Sequence, residues 1–153
     1  MMNESGTVEV DVQTASTCDS IPGLSCFQRW AEAALGDRGE ALLSIRLVDR
    51  EESAELNQRF RSKPGPTNVL SFAAELPAEV PVPLLGDIVI CAPLVMEEAA
   101  SQGKEIEAHW AHLVIHGILH LLGFDHQAKA DAEEMEAREI FLLASLGYPD
   151  PYA

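Results

Sequence analysis

The fold is decided by the stretch EIEAHWAHLVIHGILHLLGFDH, which occupies residues 105–126. Apolar residues surround four histidines along most of this stretch, and the pattern predicts one long buried helix. His116 and His120 stand four residues apart, so they share one helix face and both imidazoles can reach a single metal ion. Gly123 predicts the helix end, because Gly readily adopts the left-handed conformation that terminates a helix. The returning chain can then bring His126 to the same ion.

Three imidazole ligands indicate a catalytic metal, because they leave a tetrahedral ion with one open position. A lone buried His is usually a core residue, but the spacing of His116, His120 and His126 predicts metal binding. Imidazole accepts zinc, nickel and iron alike. His112, His116 and His120 form an alternative set, whose outer members lie about 12 Å apart along the helix axis. We therefore expect His112 and His109 to support the ligands or to lie on the surface.

The same spacing is typical of zincin peptidases, with one difference. In that class a Glu follows the first His and acts as the general base. Gly117 occupies that position here, so ordinary proteolysis is disfavoured. Asp125 is a candidate substitute base or a group that orients His126, and an Asp that simply forms the turn is an equal alternative.

The charge around the predicted metal suits a phosphodiester substrate. Three neutral ligands leave the two positive charges of a divalent ion uncompensated, so phosphate oxygens can occupy the open position. The window of residues 56–74 contains three cations and no carboxylate. Arg59 and Arg61 lie in this window and are candidates for a guanidinium that complements the charge developing on the phosphoryl oxygens. The alternative is that both arginines form a solvated helix end.

The composition bounds what the rest of the chain can do. Its 153 residues, 47% of them hydrophobic and 23% charged, predict one globular domain covering residues 1–153. A net charge of −15 argues against broad nucleic-acid binding and favours a narrow contact. The three cysteines form no CxxC pair and are expected to be reduced thiols. The sequence shows neither a signal-peptide pattern nor an apolar run of membrane-spanning length, so we expect a cytoplasmic protein with no membrane partner.

Hydrophobic periodicity and turn residues predict the order of the secondary structure. Strands are expected at residues 7–12, 41–48, 68–72 and 86–91. Helices are expected at residues 24–35, from a Ser53 N-cap to about residue 60, and at residues 93–102, 105–122 and 130–146. Pro77, Pro81 and Pro83 predict a loop. Because strands and helices mix without strict alternation, we expect an α+β fold, in which a mixed β-sheet is flanked by helices and the metal-binding helix is buried.

Several segments together resemble the YbeY family of bacterial endoribonucleases, the ribosomal RNA maturation factors. The segments that carry the resemblance are FRSK at 60–63, PTNVLSF at 66–72, LGDIVI at 85–90, EAHWAH at 107–112, the histidine run at 116–126 and LGY at 146–148. They span the chain from the second strand onward, while the first forty residues match only in general layout. The histidine run combined with PTNVLSF is a highly specific pair of motifs.

The resemblance implies an α+β fold with the metal helix at the base of a cleft. It implies a metal-dependent, single-strand-specific endoribonuclease that acts in ribosomal RNA maturation, notably at the small-subunit 3′ end, and in ribosome quality control. Carried onto this chain, it makes His116, His120 and His126 the metal ligands, zinc (Zn²⁺) the expected ion, and Arg61 the catalytic arginine. Single-stranded ribosomal RNA and the ribosome or its proteins are then the expected partners.

Two other functions stay open at the level of sequence. The first is a non-catalytic ribosome-assembly protein in which zinc only braces the fold, and the net charge of −15 favours it because such a body docks through protein partners. The second is a zincin-like peptidase, which Gly117 disfavours.

Overall fold

The computed structural model describes residues 7–36, 38–76, 83–124 and 128–153. Strands and helices mix along these residues without strict alternation, so the α+β class that the sequence predicts is confirmed. The elements are β1 (Val8–Thr14), α1 (Leu24–Leu35), β2 (Ala41–Val48), α2 (Arg50–Arg61), β3 (Val69–Ala73), β4 (Leu84–Cys91), α3 (Ala92–Gln102), α4 (Ile106–Leu121) and α5 (Lys129–Ser145).

The strands form one mixed sheet in the order β1-β2-β4-β3. Strands β1 and β4 both run parallel to β2, whereas β3 runs antiparallel to β4. Gly86 of β4 lies opposite Ala73 of β3. A Cβ at Gly86 would lie 2.2 Å from the carbonyl oxygen of Phe72. Only glycine therefore permits the close approach of β3 and β4 at this point.

Each face of the sheet has its own apolar cluster, because successive side chains of a strand point to opposite faces. Ile88 of β4 belongs to the larger cluster, together with Trp30 of α1 and Ile115 of α4. Its neighbour Val89 belongs to the smaller cluster, against which Leu56 of α2 packs. Helices α1 and α4 thus cover one face of the sheet, and α2 covers the opposite face.

Helix α4 lies at the centre of the larger cluster, and the buried helix that the sequence predicts is confirmed. Ten of its sixteen residues are buried, and it packs against α1, α3, α5, β3 and β4. Phe27 of α1 contacts Trp110 of α4 edge-on, with ring centroids 5.8 Å apart. Because α4 has neighbours on most of its circumference, packing fixes the direction in which each of its histidines points.

Most predicted elements agree with the observed ones, but the predicted N-cap of α2 is wrong. The helix begins at Arg50 and Asp49 precedes it. Ser53 is buried within the helix, where its hydroxyl contacts the backbone of Thr67. A Ser side chain can cap a helix or bind the backbone of a nearby loop. Because Ser53 binds the backbone of Thr67, it does the second. The predicted proline-rich loop at Pro77–Pro83 falls largely outside the described residues.

No helix within the described ranges combines the length and the apolar character needed to cross a membrane. Cys18, Cys26 and Cys91 are free cysteines in the structure.

Candidate metal centre

A cavity of about 790 Å³ opens beside the carboxyl-terminal half of α4. His116 and His120 line it from α4, while Arg61 and Lys63 line it from the end of α2. The other lining residues are Phe60, Thr67, Asn68, Val69, Leu70, Ser71, Phe72, Ala73 and Leu121. Among the residues that the structure describes, none with a carboxylate lines this cavity. Its arginine and lysine therefore give the cavity a positive charge that favours anions.

His116 and His120 meet on the cavity side of α4. Their ring centroids lie 4.7 Å apart, with the ring planes at 79°. The side chain of His116 is 22% exposed, so its ring reaches from the core into the cavity. The structure thus brings together two of the three predicted ligands. His126 and the candidate base Asp125 lie outside the described residues, and their roles stay predictions.

Glu139 of α5 lies against His116 and is fully buried. Its Oε2 lies 2.6 Å from His116 Nδ1, and its Oε1 lies 2.8 Å from His112 Nε2. The hydroxyl of Tyr152 donates a further hydrogen bond to Oε1. One carboxylate therefore connects two histidines of α4 with the C-terminal segment of the chain.

The pKa values in this cluster show which groups carry a proton. Burial alone raises the pKa of Glu139, but the hydrogen bonds from His112, His116 and Tyr152 outweigh burial and lower that pKa to about 2. Burial, together with the hydrogen bond to Glu139, raises the pKa of Tyr152 well above its ordinary value. At neutral pH the carboxylate is therefore ionised, and the Tyr152 hydroxyl keeps the proton that it donates.

The group of His112, His116 and Glu139 can itself hold a metal ion. One ligand atom of each residue lies within 4.8 Å of the others, and two imidazoles with a carboxylate are a common donor set for divalent ions. This group shares only His116 with the ligand set that the sequence predicts. Sequence reasoning did weigh His112 as a ligand, but it did not find Glu139.

His109 is buried nearer the amino-terminal end of α4 and does not line the cavity. Its Nε2 lies 2.9 Å from Glu98 Oε1, and the side-chain amide of Asn68 donates to the same carboxylate. Burial lowers the pKa of His109, which favours its neutral form. His112 contacts the predicted ligand His116 through Glu139, and its expected supporting role stays a prediction. Neither His109 nor His112 lies on the surface.

Arg61 is the last residue of α2 and is exposed at the wall of the cavity. The loop that follows is tied back to the same helix. The hydroxyl of Ser53 lies 2.9 Å from Thr67 N and 2.7 Å from Thr67 O, and the Asn57 amide donates to Gly65 O at 2.9 Å. These bonds fix the start of β3 relative to α2, so Arg61 and β3 line one cavity. Arg59 does not line it.

Gly117 lies where α4 comes close to the sheet. A Cβ at this position would lie 3.1 Å from Cδ1 of Ile88 and 3.2 Å from Oγ of Ser71. The Ser71 hydroxyl donates a hydrogen bond of 3.0 Å to the Gly117 carbonyl. The general base of the zincin class would need a Glu side chain at this point, and its Cβ alone would press against Ile88 and Ser71 of the sheet.

The family model for endoribonuclease YbeY matches residues 12–147 of the chain. The chain belongs to the endoribonuclease YbeY family. A relative with this name from Stutzerimonas stutzeri is 60% identical, over 95% of this chain and 92% of that protein. Relatives with the same name from Methylococcus capsulatus and Nitrosococcus oceani are 56% and 51% identical, each over 95% of this chain and over 95% and 97% of their own lengths.

A solved structure also resembles the chain. The solution structure of TM1509 from Thermotoga maritima matches with a TM-score of 0.57 and 27% sequence identity. The match covers 89% of this chain and 91% of that protein. The chain and that protein therefore share the same overall fold.

Sequence reasoning missed Glu139 and Tyr152, although one signal for Glu139 was present. Glu139 shares the buried face of α5 with Met135, Leu142 and Leu143, which stand at helical spacing from it. A carboxylate on an apolar helix face needs a buried partner, and His residues were the natural candidates. Tyr152 lies beyond the last helix and belongs to no periodic pattern.

Proposed function

We propose that this chain is a metal-dependent endoribonuclease that cleaves single-stranded RNA, with residues 1–153 acting as one domain. The observation that carries the proposal is the cavity in which Arg61 and Lys63 accompany His116 and His120 and which no described carboxylate lines. Such a cavity attracts the negative charge of a phosphodiester. Relatives with 51–60% identity are named endoribonucleases, and the cavity has the chemistry that such an activity needs.

We assign the metal to His116, His120 and His126, with zinc as the expected ion and nickel as an alternative. The described part of this set fits an ion, because two imidazoles on one helix face have centroids 4.7 Å apart and a buried carboxylate fixes one of them. When bound, a divalent ion supplies Lewis acidity toward a phosphoryl oxygen.

The other side chains of the cavity have separate tasks. The guanidinium of Arg61 donates hydrogen bonds to the phosphoryl oxygens, and these bonds strengthen as negative charge develops during cleavage. Lys63 adds a second positive charge that holds the RNA backbone. Phe60 lies next to Arg61 and is 57% exposed. Its ring offers a stacking surface for an unpaired base, which favours a single strand over a duplex.

We further propose ribosomal RNA as the substrate, notably the small-subunit 3′ end, with a role in ribosome quality control. The motifs shared with the YbeY family support this. The net charge of −15 supports docking through the ribosome or its proteins, because an acidic body does not coat RNA by itself. The three free thiols support a reducing compartment, for which we propose the cytoplasm.

The test of this function compares zinc-loaded wild-type protein with a His116→Ala variant that is prepared identically. The substrate is an end-labelled RNA oligonucleotide, used alone and annealed to its complement. We expect the wild-type protein to cleave the single strand within the chain, and the variant to leave it intact. Equal cleavage by both proteins would point to a contaminating nuclease and overturn the proposal. Hydrolysis of an unstructured peptide without RNA cleavage would favour a peptidase instead.

The variant Arg61→Ala separates an endoribonuclease from a protein in which the metal only braces the fold. We expect the cleavage rate to fall about 100- to 1,000-fold, while metal content and thermal stability are retained. Arg50→Ala is the matched control, because Arg50 lies at the opposite end of α2, pairs with Glu97 and does not line the cavity; its effect should be much smaller. Unchanged cleavage in Arg61→Ala would remove the role assigned to this residue.

A further inference from the structure

We propose that Glu139 is the positioning residue of the metal centre: it holds His116 by Nδ1, so that Nε2 of the same ring is directed to the ion. The inference rests on the proposed function in one respect, since it takes His116 and His120 as ligands. It is carried by the contact distances around Glu139, by the burial of this carboxylate and by its anchoring through Tyr152.

The distances are those of hydrogen bonds. Two ligand atoms on one tetrahedral zinc ion lie about 3.4 Å apart, given metal–ligand bonds of about 2.1 Å. The oxygens of Glu139 lie 2.6 Å from His116 Nδ1 and 2.8 Å from His112 Nε2, which is the range of charge-assisted hydrogen bonds. Glu139 therefore contacts both rings as an acceptor. The group formed by His112, His116 and Glu139 is then a support behind the ion.

The chemistry of a carboxylate determines which nitrogen of His116 binds the metal. An ionised carboxylate has acceptor sites only, so the hydrogen of this bond is carried by Nδ1. A neutral imidazole with its hydrogen on Nδ1 has its metal-binding lone pair on Nε2. The ring of His116 lines the cavity next to that of His120. Nε2 is therefore the donor atom for an ion that both residues share.

Glu139 is itself held in one orientation. His112 and Tyr152 both contact Oε1, which leaves Oε2 for His116. The side chain of Glu139 is 0% exposed, so no water competes for its oxygens, whereas that of His116 is 22% exposed. A buried acid that points a partly exposed imidazole outward fixes the ligand before the metal arrives, and this arrangement raises metal affinity.

The experiment measures the dissociation constant of Zn²⁺ by competition with a chromophoric chelator, without RNA. We expect Glu139→Gln to weaken zinc binding about 10- to 100-fold. Glu98→Gln is the matched control, because Glu98 contacts His109 of the same helix at 2.9 Å and that histidine does not line the cavity; its zinc affinity should equal that of the wild type. The visible spectrum of bound Co²⁺ should keep its band positions in Glu139→Gln, since the ligand set is unchanged.

Three results would overturn the inference. Equal zinc affinity in wild type and Glu139→Gln would show that Glu139 does not act on the ion. An equal loss of affinity in Glu98→Gln would show a general structural effect. Retention of zinc by His120→Ala, together with an altered Co²⁺ spectrum in Glu139→Gln, would make Glu139 a direct ligand with His112 and His116.

A second variant keeps the inference testable if Glu139→Gln fails to fold. Tyr152→Phe retains the carboxylate and changes a residue that is 47% exposed, so the fold should persist. Loss of one hydrogen bond to Glu139 should weaken zinc binding about fivefold. Unchanged affinity in the folded variant would overturn the anchoring of Glu139 by Tyr152, and with it this inference.

Failure of this inference and failure of the proposed function give different results, because zinc binding and RNA cleavage are measured separately. A wild-type protein that binds zinc without cleaving RNA, and whose affinity falls in Glu139→Gln, would refute the endoribonuclease activity and support the positioning role. Cleavage that requires His116, together with unchanged zinc affinity in Glu139→Gln, would support the activity and refute the positioning role.

Discussion

Helix α4 carries two histidine–glutamate pairs that have the same chemistry and opposite arrangements. In the first pair, His109 contacts Glu98 at 2.9 Å, and the side chains are 5% and 28% exposed. In the second pair, His116 contacts Glu139 at 2.6 Å, and the side chains are 22% and 0% exposed. The imidazole is the buried partner in the first pair, whereas the carboxylate is the buried partner in the second.

The difference in burial explains the difference in task. Glu98 of α3 contacts both His109 and the Asn68 amide, so the first pair braces α4 against α3 and the segment before β3. Glu139 has no solvent-exposed surface. In the second pair it contacts His116, whose imidazole reaches into the cavity. A contact between His and Glu therefore does not by itself indicate a functional site. A pair of this kind indicates a functional site when one partner reaches the cavity, as His116 does in the second pair.

The largest expected effect concerns the close packing of the second half of α4. Gly117→Glu should lower the free energy of unfolding by about 3–5 kcal/mol or prevent folding, because it buries an unpaired charge against Ile88 and Ser71. In Gly117→Ala, overpacking should cost about 1–3 kcal/mol, and the higher helix propensity of Ala should recover about 1 kcal/mol. The free energy of unfolding of this variant should therefore fall only slightly. Urea unfolding measures both.

A well-folded Gly117→Glu protein would contradict the steric account of the missing zincin base. If that variant also hydrolysed peptides, the residue at this position alone would separate the two classes of hydrolase.

The next effect compares the two histidines directly. His109→Ala should lower the free energy of unfolding by about 2–3 kcal/mol, because a buried hydrogen bond to a charged group is lost. Its melting temperature should still rise on zinc addition, since ligands that bind only the folded state stabilise it. His116→Ala should show no such rise. Differential scanning fluorimetry with and without zinc measures these melting temperatures. If the melting temperature of His109→Ala did not rise with zinc, the distinction between the two histidines would be contradicted.

The smallest expected effect is a difference in pH dependence. Burial lowers the pKa of His109 below its ordinary value of 6.5, although Glu98 raises it. Below pH 6.5 the unfolded chain therefore binds a proton at this residue before the folded protein does. The free energy of unfolding must then fall as the pH falls from 6.5 toward the lowered folded pKa.

His109→Gln removes this titrating group, so its free energy of unfolding should fall less steeply over the same range. Urea unfolding of the metal-free proteins at several pH values on both sides of 6.5 measures the two slopes. Contributions from acidic residues that do not contact His109 are common to both proteins and cancel in the difference. Parallel slopes would show that His109 is not held neutral by its surroundings.

Much of the fold could be predicted from local sequence patterns. Helix α1 and strand β2 begin and end where the sequence predicts, since their apolar periodicity and the flanking glycines are local signals. The start of α2 was predicted wrongly, because Ser53 serves a loop fourteen residues away, while Asp49, also a preferred N-cap residue, precedes the helix. A single Ser is a weak signal for the start of a helix, because its hydroxyl can instead form a hydrogen bond to a segment that is distant in sequence.

The site was predicted in part. The spacing of His116 and His120 places both on one helix face, and the structure has both at one cavity with Arg61. The assignment of Arg61 as catalytic and of His126 as a ligand stays a prediction. Glu139 was missed, because its partners lie 23 and 27 residues away in sequence and only the packing of α5 on α4 brings them together.

By itself, the sequence determined that α4 is a buried helix and that two of its histidines share a face, because helical periodicity is a property of neighbouring residues. It also determined that Gly stands where a zincin has Glu. Only the tertiary structure shows that a side chain there would press against Ile88 and Ser71, that His109 contacts Glu98 away from the cavity, and that His116 reaches into the cavity. Those answers depend on distances between α4, α5 and the sheet, and elements far apart in sequence set these distances by packing.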